Sequence, residues 1–216
     1  MKTIHALTAV VTSTLLVASP ASASDLANGG FESPSIGGLS YLSFSTAPAG
    51  FGWTVASGEV DIFGGPSWQP ATGAQGLDLN GWIPGAIYQD VTFSMAGTCT
   101  VSFDMSANPG LGLAIKTLRV SLNPVGAPMH TLGEYSVSTA GRTETDLQWV
   151  AITTPGVAVD TTQTYRLQFT SLSLDGGSAG PLLDTVSLVV IPEPSGATLL
   201  IGGIALLFGI RRPPTR

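Results

Sequence analysis

Short runs of alternating apolar and polar residues recur along this chain, and no long stretch carries a helical period. Alternation with period two marks a strand that buries one face and exposes the other. Such runs cover 53–55, 59–63, 86–91, 99–105, 118–122, 131–137 and 147–153, and they are clearest at 165–170 and 183–190. Clusters of Gly, Pro, Asn and Ser separate them. Short strands at regular spacing with turn signals between them predict an all-β sandwich or barrel.

Composition narrows what such a domain does. Only 10% of the residues are charged, so the chain is too apolar to be a disordered polyelectrolyte. Outside the two terminal segments there are four basic and thirteen acidic residues, a net charge close to −9. A surface of that sign repels nucleic acid, and no Lys/Arg cluster is present to bind it. The single cysteine, Cys99, permits no intramolecular disulfide. It shares strand parity with Val101, Phe103 and Met105, which predicts a buried small hydrophobe rather than a reactive thiol.

Both ends look like addresses. Lys2, an apolar run over 6–18, Pro20 and the small residues Ala21, Ser22 and Ala23 form a secretory signal over 1–23, cut after Ala23 by signal peptidase. At the other end, Pro192, Glu193 and Pro194 precede an apolar run over 196–210 and then Arg211 and Arg212. About fifteen residues is short for a permanent membrane span but long enough for a transient one. The arginines set its cytoplasmic side. This order of motif, hydrophobic helix and terminal arginines resembles the PEP-CTERM sorting signal of Gram-negative bacteria. The resemblance implies processing by an exosortase, at least transient membrane anchoring and a place at the cell surface or in an exopolysaccharide matrix. Glu193 would then be a recognition residue. The organisation expected is a signal over 1–23, one β-domain over 24–191 and a sorting segment over 192–216.

The middle carries a second resemblance. Asn28-Gly29-Gly30-Phe31-Glu32-Ser33-Pro34 opens it, followed by Trp53-Thr54-Val55 and Gly58-Glu59-Val60-Asp61. Gly73-Ala74-Gln75-Gly76-Leu77-Asp78-Leu79-Asn80-Gly81 leads to Pro84-Gly85-Ala86-Ile87-Tyr88-Gln89, and Leu183-Asp184-Thr185-Val186-Ser187-Leu188 closes the region. The sequence is similar to choice-of-anchor C and domain-of-unknown-function 642 proteins. That similarity implies a galactose-binding-like jelly-roll β-sandwich of the kind used by carbohydrate-binding modules. It also implies a structural Ca²⁺ between Glu32 and Asp184, where this chain has Leu183-Asp184 in place of the two adjacent acids common in the family. The parity of Asp184 with Val186, Leu188 and Val190 points its carboxylate inward, where it needs a partner or a metal. The other reading is a polar pair that caps a sheet edge through backbone N–H groups.

The remaining candidates are aromatic and acidic. Trp53 and Trp149 lie in apolar runs and are expected in the core. Trp68 and Trp82 lie in loop sequence, where an indole either stacks on a sugar face or packs beneath its own loop. Glu59 and Asp61 share one strand face, as do Asp78 and Asn80, while Leu77 and Leu79 face the core. A solvated polar face, a sugar-binding face and a glycosidase carboxylate pair all stay open there. Trp68, Trp82, Asp78 and Asn80 form the expected carbohydrate-binding set, with no catalytic residue. His130 is the only histidine outside the signal, and no G-x-S-x-G accompanies it, so a surface histidine near a turn is expected rather than a member of a Ser-His-Asp triad. One histidine and one cysteine leave no ordinary zinc site. The reading that results is an exported, non-enzymatic protein that binds polysaccharide; a ligand-free structural matrix protein is its rival, and a glycoside hydrolase is the distant third.

Overall fold

The computed structural model describes residues 21–22, 26–110, 112–174 and 177–192. The alternating runs become strands. Thirteen strands follow one another: β1 (Ala21–Ser22), β2 (Tyr41–Phe44), β3 (Thr54–Ser57), β4 (Val60–Gly64), β5 (Gln75–Asp78), β6 (Ala86–Thr92), β7 (Gly97–Ala107), β8 (Ile115–Pro124), β9 (Thr131–Ser138), β10 (Val150–Thr153), β11 (Val157–Val159), β12 (Thr164–Ser171) and β13 (Pro181–Pro192). They form two antiparallel sheets. The larger runs β10-β7-β13-β5-β4-β2, with β1 added on β13 and β11 on β7. The smaller runs β3-β6-β12-β8-β9.

The two sheets meet through their apolar faces. From the larger come Val60, Ile62, Leu77, Val101, Phe103, Met105 and Leu188; from the smaller, Ile87, Leu118, Val120, Leu122, Leu167 and Phe169. Each such side chain contributes about 1.5–3 kcal/mol on full burial. The Phe103 and Phe169 rings meet edge to face across the interface at 5.3 Å, and Trp53 meets Phe169 at 6.0 Å. Cys99 is fully buried among these residues, as its parity predicts, and burial pushes its thiol up to about 12.

Three readings need correction. Trp149 does not join this core: it is half-buried on the outer face of the larger sheet, stacked on Phe63 with ring centres 6.3 Å apart. The run at 147–153 turns to strand only at Val150, and Leu147 packs with Phe63 and Leu182 in a second, smaller apolar cluster. Asp184 is fully buried, but not on the face of Val186, Leu188 and Val190. The β13–β7 register shifts between Asp184 and Ser187, and Thr185 there has φ 53. The bulge adds a residue, so Leu183 and Val186 both reach the core and Asp184 turns out of it. Period-two counting fails across a bulge.

The signal over 1–23 and the sorting residues Glu193, Pro194, Arg211 and Arg212 lie outside the described residues, apart from Ala21–Ser22, which pairs with Val190 and Val189. No helix among the described residues is long and apolar enough to cross a membrane.

Candidate functional site

The outer face of the larger sheet carries the site. Register decides its floor. Ser43 on β2 stands opposite Asp61 on β4, and Asp61 stands opposite Asp78 on β5. One row along, Tyr41 stands opposite Phe63, and Phe63 opposite Gly76. Period two then sends the side chains of both rows to the face away from the main core. Gly76 is needed in the second row, because a Cβ there would come within 2.6 Å of the Phe63 ring.

Two loops wall this floor. The 3₁₀ turn Gly65–Ser67 delivers Trp68 onto Phe63 at 5.3 Å between ring centres. The segment 142–149 lies alongside, held by Arg142, which donates to the carbonyls of Leu147 and Gln148 at 2.9 and 3.0 Å. The Trp149 indole donates to the Gln69 carbonyl at 3.0 Å and ties the two loops together. On the opposite side a tight turn follows Asn80. Gly81 N–H donates to the Glu59 carbonyl at 2.8 Å, and Trp82 N–H to Glu59 Oε2 at 3.0 Å. This turn lifts Trp82 into solvent, 71% exposed, and Tyr41 across the floor is 57% exposed. Between them lies a pocket of about 170 Å³ lined by Trp68, Trp82, Asp61, Asp78 and Asn108, among others.

The electrostatics are one-sided. Asp78 is 3% exposed and its carboxyl is pushed up to about 7, chiefly by burial. Hydrogen bonds offset part of that: Asn108 Nδ2 donates to Oδ2 at 2.7 Å, and Asn80 N–H and Gly180 N–H donate to Oδ1 at 2.8 and 3.1 Å. Asp61 is pushed up to about 6, again chiefly by burial, eased by Ser43 and reinforced by the charge of Glu59. Asp61 Oδ1 is buried with no hydrogen-bond partner among the described residues. None of the lining residues is Lys, Arg or His.

Of the expected sugar-binding set, Trp68, Trp82 and Asp78 line one pocket. Asn80 stands behind it, fully buried, donating to the carbonyls of Ser173 and Gly177 at 3.1 and 3.2 Å. Its Oδ1 and Asp78 Oδ1 both lie within 2.6 Å of where a Cβ on Gly180 would stand, so only glycine fits there. Asp78 and Asn80 are buried rather than on a solvated face, while Asp61 is half-buried. Tyr41, Ser43, Phe63, Asn108 and Ser178 join the site without having been singled out in the sequence. Asn108 sits in a cluster typical of turns, and the Tyr41–Phe44 strand alternates weakly, so neither signals a ligand face. His130 is exposed ahead of β9.

Glu32 and Asp184 meet elsewhere, at the loop before β5. Glu32 Oε1 accepts from Ala74 and Gln75 N–H at 2.9 and 3.2 Å. Asp184 accepts from Thr72 and Thr185 N–H at 3.0 and 2.7 Å, and burial with the nearby Glu32 charge pushes it up to about 6. Asn28, Phe31 and Thr185, close by in the chain, hold left-handed backbone at φ 51, 56 and 53. Such conformations are costly for Phe and Thr and concentrate where surrounding structure enforces them. The donors fit a hard cation in kind, being carboxylate oxygens in mutual repulsion. No group of three or more His, Cys, Asp or Glu placed so as to hold a metal ion is present among the described residues, so backbone carbonyls would have to complete a calcium shell.

No family model matches the chain. It is 29% identical over 198 residues to halomucin of Haloquadratum walsbyi (strain DSM 16790 / HBSQ001), an alignment that covers 83% of this chain and 2% of halomucin. Solved structures similar to it include TmCBM61 in complex with β-1,4-galactotriose, at 15% identity and TM-score 0.43, covering 76% of this chain and 96% of that one. The CBM22-1 xylan-binding domain of Paenibacillus barcinonensis Xyn10C is similar at 17% identity and TM-score 0.44, covering 71% and 94%. The K2 adhesin domain of Lys-gingipain is similar at 12% identity and TM-score 0.45, covering 70% and 99%.

Proposed function

We propose that this chain is an exported, non-catalytic surface or matrix protein of a Gram-negative bacterium whose jelly-roll sandwich binds polysaccharide in the groove between Tyr41 and Trp82. The observation that carries the reading is two exposed aromatic rings flanking a pocket with a buried and a half-buried aspartate, Asp78 and Asp61, on its floor. Apolar sugar faces stack on rings, and hydroxyls bond carboxyls. Asp61 and Asp78 are neighbours on one wall, and Asp78 is engaged by backbone N–H groups. A glycosidase instead sets its two carboxyls on either side of the scissile bond. Export and exosortase sorting rest on the sequence of the two ends, with Pro192, Glu193, Pro194, Arg211 and Arg212 as the sorting residues.

The test is retention on a panel of immobilised neutral glycans. Trp82→Ala with Tyr41→Ala should weaken retention strongly while leaving the far-UV spectrum and Tm in place, because both side chains are exposed. Retention by no glycan in the panel would favour the ligand-free matrix protein. Trp68 is a poorer probe, since its ring also supports Phe63.

Glu32 and Asp184 are proposed to hold a structural Ca²⁺. Unfolding of the full chain with calcium and then with chelator checks this. A site tens of times above its Kd would raise stability by about 2–3 kcal/mol. A Tm indifferent to chelator leaves the pair as caps on the Thr72, Ala74 and Gln75 N–H groups.

A further inference from the structure

We propose that the groove is built for a glycan bearing a protonated amine: an amino sugar whose ammonium meets Asp61 and whose ring lies against Trp82 and Tyr41. This rests on the polysaccharide-binding reading and names the substrate class.

The argument is one of compensation. Asp61 and Asp78 stand opposite each other on paired strands and face the same pocket. Glu59, held by Trp82 N–H, adds a third negative charge close to Asp61. No basic side chain lines the pocket to balance them. The contrast with the rest of the molecule is direct, since Arg119 and Arg166 each sit on a carboxylate of their own. Within the pocket, Asp61 Oδ1 is buried and accepts nothing among the described residues. An unmet carboxylate oxygen costs free energy until a donor or a cation relieves it.

A neutral sugar supplies hydroxyl donors but leaves the repulsion between the acids. An ammonium supplies three donors and a full positive charge. The walls suit the same group: Tyr41, Phe63, Trp68 and Trp82 present rings around the acids. Aromatic faces attract cations through their quadrupole, and they also stack on a sugar ring. Aromatic rings around a carboxylate satisfy both halves of an amino sugar at once.

The experiment compares the full-length chain on β-linked glucosamine oligomers and on the same oligomers fully N-acetylated, near pH 6. The amine form should bind about tenfold tighter or more, with the advantage shrinking as salt is raised. Asp61→Asn should erase the advantage. Trp82→Ala with Tyr41→Ala, which leaves the net charge unchanged, should lose both oligomers. If Asp61→Asn does not fold, Tyr41→Lys at the exposed rim serves instead, and it should expel the amine form selectively.

Equal binding of the two oligomers would overturn the proposal. Amine binding that survives Trp82→Ala with Tyr41→Ala would also overturn it, because attraction to the acidic surface at large would then explain the result. Retention of neutral glycans through Trp82 with no preference for the amine would sink this inference and leave the groove reading standing. Failure of every glycan would sink both.

Discussion

The outer faces of the two sheets are made from the same kinds of residue and end in opposite states. On the smaller sheet, polar groups satisfy one another. Arg166 grips Asp90 through two bonds of 2.7 and 2.8 Å and lies 3.6 Å over the Tyr88 ring. Arg119 donates twice to Glu134 Oε1, and Thr117 pairs with Ser136 at 2.8 Å. On the larger sheet, acids stand beside acids and rings are left uncovered. The charged groups of the first face are paired within the chain, whereas no basic side chain lines the pocket on the second. A ligand gains most where desolvated polar groups have no partner and apolar rings are still wet, which is why the proposed groove is placed on the larger sheet.

The comparison breaks most sharply under mutation. Trp82→Ala with Tyr41→Ala should weaken glycan retention by roughly 10- to 100-fold, taking each ring as worth about 0.5–1.5 kcal/mol. Arg166→Ala on the other face should leave retention unchanged, and retention assays on both variants check the pair together. Next is the groove floor. Gly76→Ala drives a methyl into the Phe63 ring. Overpacking of this kind costs about 1–3 kcal/mol, so denaturant unfolding should show a lower midpoint together with weaker binding.

The acids give the larger sheet a pH dependence. The folded-state pKa of Asp78, about 7, lies above the 3.8 of a free carboxyl. Between those values the folded chain holds a proton that the unfolded chain has released. Stability therefore falls as pH rises through this window and levels off above it. Asp61 acts in the same direction up to about 6. Tm should fall by about 5 °C or more between pH 4.5 and 8 in the absence of ligand, and Asp78→Asn should remove roughly half of the slope, Asp61 and Asp184 carrying the rest. A Tm that rises over this range would refute the assignment.

The smallest effect belongs to the paired face. Arg166 and Asp90 are each about one-third exposed. Exposed pairs are worth about 0–1 kcal/mol, so Arg166→Ala should shift Tm by only about 1–3 °C, and less at high salt. A shift as large as that of Gly76→Ala would mean that the pairing on the smaller sheet is structural.

Much of this was legible before the fold. The alternation at 99–105 placed Cys99, Val101, Phe103 and Met105 on one buried face. Leu77 and Leu79 point to the core as their parity requires, which sends Asp78 the other way. Trp68 and Trp82 stood out as aromatic residues in loop sequence. Tyr41, Ser43, Phe63 and Asn108 did not, because each matters only through its cross-strand or cross-loop neighbour. Trp149 departs from the core for a related reason: its run is apolar, but the larger sheet carries a second apolar cluster on its outer face.

Sequence alone determined the strand class, the faces of uninterrupted strands and the acidity of the domain. These depend on local periodicity and composition, which a chain carries with it. Tertiary structure decided that Ser43, Asp61 and Asp78 form one row, that Asp184 leaves the core face at a bulge, and that three tryptophans gather around Phe63 or face it across a pocket. Those outcomes depend on strand register and sheet order, and pairing between residues far apart in the chain is set by how all the strands pack together, not by the pattern within any one of them.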